Sequence, residues 1–420
     1  MESLKYIHCG KFFDGINERL EQDVDILIKG GRIESVGHGL PCPEGAEKID
    51  LSDCTVTPGL IDSHVHYDFI GPENFNSYAV TDSDERKTLN VVYNCMVSLQ
   101  NGFTTVRTTG TAFRGFGMVD AKNAIEKGQF PASRLIVAPH ALGCSGGHWD
   151  FSSYLPVTNP LVSEFLEQSF ALTAGAANFR RLVQKQIKYG ADFIKIMAAG
   201  GFASPGDDPT RPQLDEEETG AIIRTAHQWG KPVAAHAYDS GVIDMLIDQE
   251  VDEIEHGTLM QKHTAEKMVK NNIFYVPTLF SLMEPDDVDP TKVPPKSPAM
   301  LYKQKKYASQ LEESRKIVVE LIKDKSLTVG MGSDMVSIVP ATDGWREFTA
   351  WRDLGISGLR ALRAGTSDNA KICRLEDVGI IAPGKKADIA AWTSDVEKER
   401  RALSHCSFVM KEGTVYKKEI

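Results

Sequence analysis

CTVTPGLIDSHVH, residues 54–66, is a nearly unbroken run of apolar and β-branched residues that closes on a His-x-His pair. Runs of this kind, bounded by turn residues, read as strands buried on both faces. Seven more follow along the chain: TTVRTTG (104–110), LIVAPH (135–140), ADFIKIMA (191–198), PVAAHAY (232–238), EIEHG (253–257), IFYVPTL (273–279) and LTVGMGSD (327–334). Helical patterns over 86–100, 178–189, 215–229, 240–249 and 301–324 lie between most of them. Asp215 is placed to cap the third, with Glu216, Glu217 and Glu218 in the first turn where the helix dipole favours acids. Eight strands alternating with helices predict a TIM-type (β/α)8 barrel over residues 58–381.

The two chain ends have a different texture. YIHCGKFFDG (6–15) and VDILIKGGRIESVG (24–37) alternate in polarity and are broken by Asp-Gly and Gly-Gly pairs, as antiparallel hairpins are. ADIAAWTSD (387–395) and SFVMKEGTVYKK (407–418) repeat this pattern. A small β-sandwich domain built from residues 1–57 and 382–420 is therefore expected beside the barrel. The stretch EPDDVDPTKVPPKSP (284–298), rich in Pro and Asp, predicts an irregular, mobile loop on the face where the barrel strands end.

With 41% hydrophobic and 25% charged residues in 420, the composition is that of a soluble globular protein. The longest apolar runs fall well short of the roughly 18 residues that span a bilayer, so no membrane partner is expected. MESLKYIHCGKFF lacks the basic, apolar and cleavage regions of a secretion signal. Seven scattered cysteines without a C-x-x-C pair argue against a disulfide framework and a thiolate zinc site, and a reducing cytoplasm fits them. Formal net charge is −11, with Lys and Arg interspersed among acids, which leaves a nucleic acid no electrostatic footprint.

In a strand, residues two apart face the same side, so His64 and His66 can converge on one point. They end the first strand, and Lys195, His236, His256 and Asp334 end four others, on the rim where active sites of such barrels are built. Unpaired polar groups are costly inside a barrel, so this set reads as a site rather than as core packing. An ammonium among histidines would repel a divalent cation. Lys195 must therefore change its charge, by losing its proton and adding carbon dioxide to form a bridging carbamate, or else be paired with an acid.

These residues resemble the amidohydrolase superfamily. PGLIDSHVH, GADFIKIMAAGG, HAYD, EIEHG and GSD occur in family order, and DVGIIAPGKKADIAAW is similar to the segment by which such enzymes return to their small β domain. The resemblance implies that His64, His66 and Asp334 hold the more buried of two divalent ions and His236 and His256 the more exposed one. It further implies that Lys195, as N6-carboxylysine, bridges both. Nitrogen and oxygen ligands suit zinc, with manganese or cobalt as alternatives. The implied reaction is hydrolysis of an amide C–N bond by a hydroxide held between the ions, with Asp334 as the catalytic acid and base.

Within the superfamily the chain looks closest to prolidase-like dipeptidases that cleave Xaa-Pro, Xaa-Arg or N-acyl amino acids, a group that includes ochratoxin-cleaving amidases. HALGCSGGHWD (140–150) is similar to that group's Gly-Gly-His-Gly-Asp loop, and Tyr238 follows His236 as it does there. Trp149 replaces the expected small glycine, which would narrow or reshape the pocket, and Asp239 stands where a threonine is common; both departures bear on the exact substrate. A small-molecule dipeptide or amide substrate brings a carboxylate, for which His148 and Tyr238 are the first candidates and Arg211 the next. His140, at the end of the third strand, either lines the pocket or supports it. His8, His38, His227, His263 and His405 fall outside these positions and read as structural or surface residues. A homo-oligomer is expected. Two other readings remain: a cyclic-amide hydrolase or deaminase, which would not need the lysine bridge, and a non-catalytic scaffold, disfavoured because every ligand position is filled.

Overall fold

The computed structural model describes residues 3–70, 78–111, 114–156, 158–160, 171–204, 206–282, 296–334 and 340–420. In chain order its strands are β1 (Leu4–Phe12), β2 (Glu21–Lys29), β3 (Arg32–Gly37), β4 (Glu47–Pro58), β5 (Leu60–Val65), β6 (Phe103–Thr111) and β7 (Arg134–Leu142). There follow β8 (Ile194–Met197), β9 (Val233–Asp239), β10 (Glu253–Leu259), β11 (Phe274–Val276), β12 (Ile389–Trp392), β13 (Phe408–Lys411) and β14 (Thr414–Lys418). They form two seven-stranded sheets.

The first sheet, ordered β14-β13-β12-β4-β1-β2-β3, joins the two chain ends around Ile7, Val24, Ile26, Ile49, Val56, Ile389 and Phe408. Gly30 and Gly31, with φ of 56° and 82°, make the β2–β3 turn, where positive φ at both positions matches the strand twist. The sequence pattern suggests hairpins alone, and the sheet is mixed: β1 lies parallel to β4, because the β2–β3 hairpin serves as the crossover between them.

The second sheet runs β5 through β11 in order, all parallel and flanked by helices, as the barrel reading requires. The first predicted run divides at Gly59: residues 54–58 belong to β4, and the chain then enters the barrel. A Cβ at Gly59 would lie 2.3 Å from Thr104, so only glycine passes there. The eighth run closes the barrel without joining the ladder as a regular strand. Val329 bridges Tyr275 on one side, while Ser63 N donates to Met331 O (3.1 Å) and Asp334 N to His64 O (2.9 Å) on the other. The Asn369 side-chain amide ties the seam, donating to Ile61 O at 2.6 Å and Met331 O at 2.7 Å.

Helices cover the predicted patterns, with Asp215 capping Glu216–Gln228 through a reciprocal box with Glu218. The pattern over 301–324 is two helices, Pro298–Lys306 and Ala308–Lys323. They part at Tyr307, whose φ of −103° leaves the helical range and whose hydroxyl binds Asp208. Of the expected loop 284–298, all but its last three residues lies outside the described residues; Ser297 caps the helix that follows. All seven cysteines are free, and among the described residues no helix is long and apolar enough to cross a membrane.

Candidate metal centre

Polar side chains fill the barrel interior in layers. Nearest the strand starts, Arg107 donates to Ser63 O (2.6 Å) and to both oxygens of Glu253, and its guanidinium lies 4.7 Å from the Phe193 ring centre. One step further along the strands, Lys195 and Glu255, both fully buried, form an ion pair, and Glu255 Oε1 stands 3.1 Å from His64 Nδ1. The acid partner considered for Lys195 from sequence is thus Glu255. At the rim, Asp334 Oδ1 lies 3.4 Å from His64 Nε2 and 3.5 Å from His66 Nε2, and Oδ2 lies 4.0 Å from His256 Nδ1. The His256 and His236 rings are 4.6 Å apart, so five of the six residues expected from sequence meet at the rim, with Lys195 one layer beneath them.

Backbone geometry makes this convergence possible. Strand alternation would turn His256 away from the side that Glu255 faces, yet His256 adopts φ of 70° and swings back toward the cluster. Asp334 (φ 45°) and Thr278 (φ 46°) share this left-handed conformation, which is unfavourable for residues with a Cβ and characteristic of functional rims. The imidazoles are then held from behind. His66 Nδ1 lies 3.1 Å from Gly110 O, His236 Nε2 3.2 Å from Gly200 O and His256 Nδ1 2.7 Å from Thr278 Oγ1. Each contact uses one ring nitrogen and leaves the other for a ligand role.

Burial sets the protonation states. It pushes His66 down to about 3 and His64, His236 and His256 below the usual histidine range, so all four imidazoles are neutral donors. Burial alone would raise Asp334, but His64 and His66 hold it at about 2, and it stays a carboxylate. Burial also lowers the Lys195 amine to about 7, with Arg107 assisting and Asp334 and Glu253 opposing. Neutral imidazoles facing a carboxylate are the donor set a divalent cation requires. One ligand atom each from His64, His66 and Asp334 lies within 4.8 Å of the others. Beneath these atoms, Lys195 Nζ pairs with Glu255 and Glu255 Oε1 faces His64 Nδ1, so the second layer holds His64 with its Nε2 toward the cluster.

Around this cluster, Tyr238 stacks on His256 at 5.0 Å, and His148 stacks on His236 at 4.5 Å. Trp149 lies 4.9 Å from the His66 ring and donates its Nε1–H to Thr111 O, walling that side of the cluster. Asp239, the other departure, caps helix Ser240–Asp248 through Gly241 N. His140 faces Gln186 of helix Ala176–Lys188 (3.0 Å) and packs edge-on against Phe116. Arg211 is exposed, and its carbonyl accepts from Gly200 N beside His236. His8, His227 and His263 pair with Asp25, Asp252 and Asp244, as suits structural residues. Sequence reading missed Glu255, Arg107, Glu253 and Thr278. Two of them stand in EIEHG itself, where alternation puts Glu253 and Glu255 on one face.

The chain matches the amidohydrolase family over residues 55–417. It is similar to the ochratoxinase of Aspergillus niger, 28% identical over 287 residues, a match covering 65% of this chain and 58% of that protein. The chain thus aligns with little more than half the length of that curated relative. Among solved structures it is similar to a Xaa-Pro dipeptidase with methionine bound in the active site: 28% identity, TM-score 0.85, covering 99% of this chain and 100% of the other. A prolidase complexed with N-methylphosphonate-L-proline is similar at 27% identity and TM-score 0.85, with 99% and 100% covered.

Proposed function

The chain belongs to the amidohydrolase family, and from that premise we propose that it hydrolyses the amide bond of a dipeptide or N-acyl amino acid at a centre of two divalent ions. The observation that carries this reading is the convergence of His64, His66 and Asp334, with ligand atoms within 4.8 Å, on the rim that also bears His236 and His256, directly above Lys195. His64, His66 and Asp334 would hold the inner ion and His236 and His256 the outer one, with Lys195 contributing to both; zinc suits the donors. When bound, the ions supply a nucleophile at neutral pH and polarise the scissile carbonyl.

The chain's own groups do the rest. Asp334 takes the proton of the attacking water at Oδ2, the oxygen turned away from His64 and His66, and returns it to the leaving nitrogen. Lys195, whose amine burial holds at about 7, adds carbon dioxide: the Nζ–C bond forms and one proton leaves. The free amine keeps Glu255 as its partner, whereas the carbamate leaves Glu255 to orient His64 through Nδ1, 3.1 Å from its Oε1. His148 and Tyr238 receive the substrate carboxylate, with Arg211 at the approach, and Trp149 limits the space beside His66. The dipeptidase and prolidase likenesses support a substrate of this class.

Amine release from a panel of dipeptides and N-acyl amino acids, run beside elemental analysis, tests the proposal. Two ions per chain are expected, with activity lost to a chelator and restored by zinc. Full activity with one ion or none would overturn it. Lys195→Ala should lose the two-ion centre, and a small added carboxylate should restore part of the activity; unchanged metal content in that variant refutes the carbamate.

A further inference from the structure

The His148 ring is gripped on three sides. Beneath it lies Gly201, where a Cβ would fall 2.1–2.6 Å from three ring atoms, so any side chain there would displace the ring. Above it lies the His236 ring, tilted by only 23°. At its edge, Nδ1 meets Ser204 Oγ at 2.6 Å and Asp207 Oδ2 at 3.3 Å. The Ser204 hydroxyl spends its single proton on Asp207 Oδ1, 2.6 Å away, so the serine oxygen faces the ring as an acceptor. Both neighbours of Nδ1 are acceptors. Nδ1 therefore carries a proton, and Nε2 is the nitrogen left for an incoming group.

The grip is anchored from another part of the chain. Lys303, on helix Pro298–Lys306 and 5% exposed, donates to Gly201 O (2.6 Å), Ser204 O (2.6 Å) and Asp207 Oδ1 (2.7 Å). These three acceptors use all three ammonium protons. Gln213 adds a second route, accepting from His148 N at 2.9 Å and donating to Asp207 Oδ2 at 3.3 Å. Burial would raise the Asp207 carboxyl, but His148, Lys303 and Ser204 hold it below the usual carboxylate range. Next to it, Asp208 accepts from the Tyr307 hydroxyl (2.6 Å) and Lys306 (2.7 Å), so the same helical stretch holds the segment twice.

We propose that Asp207 and Lys303 are positioning residues, which act through His148 by fixing its ring so that Nε2, protonated on binding, donates to the substrate carboxylate while Nδ1–H stays on Ser204 and Asp207. This rests on the reading of His148 as a substrate contact given above. Neither residue is among those proposed to hold the ions or to move the proton, so their loss weakens substrate capture more than turnover.

The test uses Asp207→Asn and Lys303→Met, each alone and in a His148→Ala background, in the zinc-loaded chain. A cleaved dipeptide and its C-terminal amide serve as substrates. For the free acid, each single variant should raise KM about tenfold, the factor lost with one charge-assisted hydrogen bond, with kcat little changed. The amide should be indifferent. Neither variant should add to the KM of His148→Ala, and Asp207→Glu should restore part of the loss. Equal losses for acid and amide, or additive effects in the His148→Ala background, would overturn the proposal.

A spectrum of the chain labelled with 15N-histidine decides the matter without any substrate. Wild type should show His148 with a protonated Nδ1, and both variants should show this fixed signal averaged. A His148 protonated at Nε2 alone in wild type would sink the inference even if dipeptides are cleaved. A fixed Nδ1 proton in a chain that cleaves no dipeptide would instead count against the proposed reaction. Should Lys303→Met not fold, Lys303→Arg and Asp207→Asn carry the same comparison.

Discussion

Near the strand starts, Arg107 gives its guanidinium to Glu253 and to the Ser63 carbonyl and rests on Phe193. One layer along, in an equally dry space, Lys195 pairs with Glu255 and Glu255 faces His64 Nδ1, while above them the Nε2 atoms of His64 and His66 turn toward Asp334 Oδ1 at 3.4 and 3.5 Å. The first layer is complete in itself; the rim above the second turns the ligand atoms of His64, His66 and Asp334 toward one point. A buried pair that satisfies its own partners serves the fold, whereas a buried set whose ligand atoms converge serves a ligand.

The difference can be broken by mutation, and the largest effect belongs to the open side. Asp334→Asn keeps the size of the side chain but cannot take up a proton at neutral pH. Turnover should fall by about 10² to 10⁴-fold or more, the range of general acid–base catalysis, while the fold is kept. Kinetics beside metal analysis read it, and a variant that keeps its metal and more than about a tenth of wild-type turnover would assign the proton to another group. On the closed side, Glu253→Ala strands the Arg107 charge and should cost about 3–5 kcal/mol in urea unfolding of the metal-free chain. Metal stoichiometry should stay as in wild type; a loss of metal would mean that the layers are not separate. The smallest effect sharpens the boundary. Thr278→Val removes the hydroxyl behind His256 Nδ1 and should weaken metal binding about 10–100-fold in chelator competition, with stability little changed.

The barrel was legible because its strands are buried on both faces and therefore read as plain apolar runs, and the rim residues because each closes one of those runs. The Lys195–Glu255 pair was half legible: an acid partner was anticipated, but EIEHG has two acids and one histidine, and strict alternation would point His256 away from both. Only the left-handed turn at His256 reconciles them, and no residue type but glycine announces such a turn. The parallel β1–β4 pair was hidden for a different reason. Hairpin signals are local, whereas a strand inserted beside the first one 40-odd residues later is a tertiary event. Lys303 and Asp207 were invisible as a unit because nothing in either local pattern says that a helix after the seventh strand reaches the loop after the fourth.

The seam between β5 and the residue 327–334 segment has a consequence for motion. Here the barrel is closed by a few backbone bonds and the side chains of Ser63, Asp62 and Asn369 rather than by a regular ladder, so local opening costs less than at the long β5–β6, β6–β7 and β9–β10 ladders. Amide protons of Ser63 and Asp334 should then exchange with solvent ahead of those in the middle of β6 or β9. Because Asp334 lies on one lip of the seam and His64 and His66 on the other, any cation they share is also a rivet. Loading the site slows exchange across the whole joint, and the strength of that protection reports how tightly the centre is occupied, even in a variant that turns nothing over.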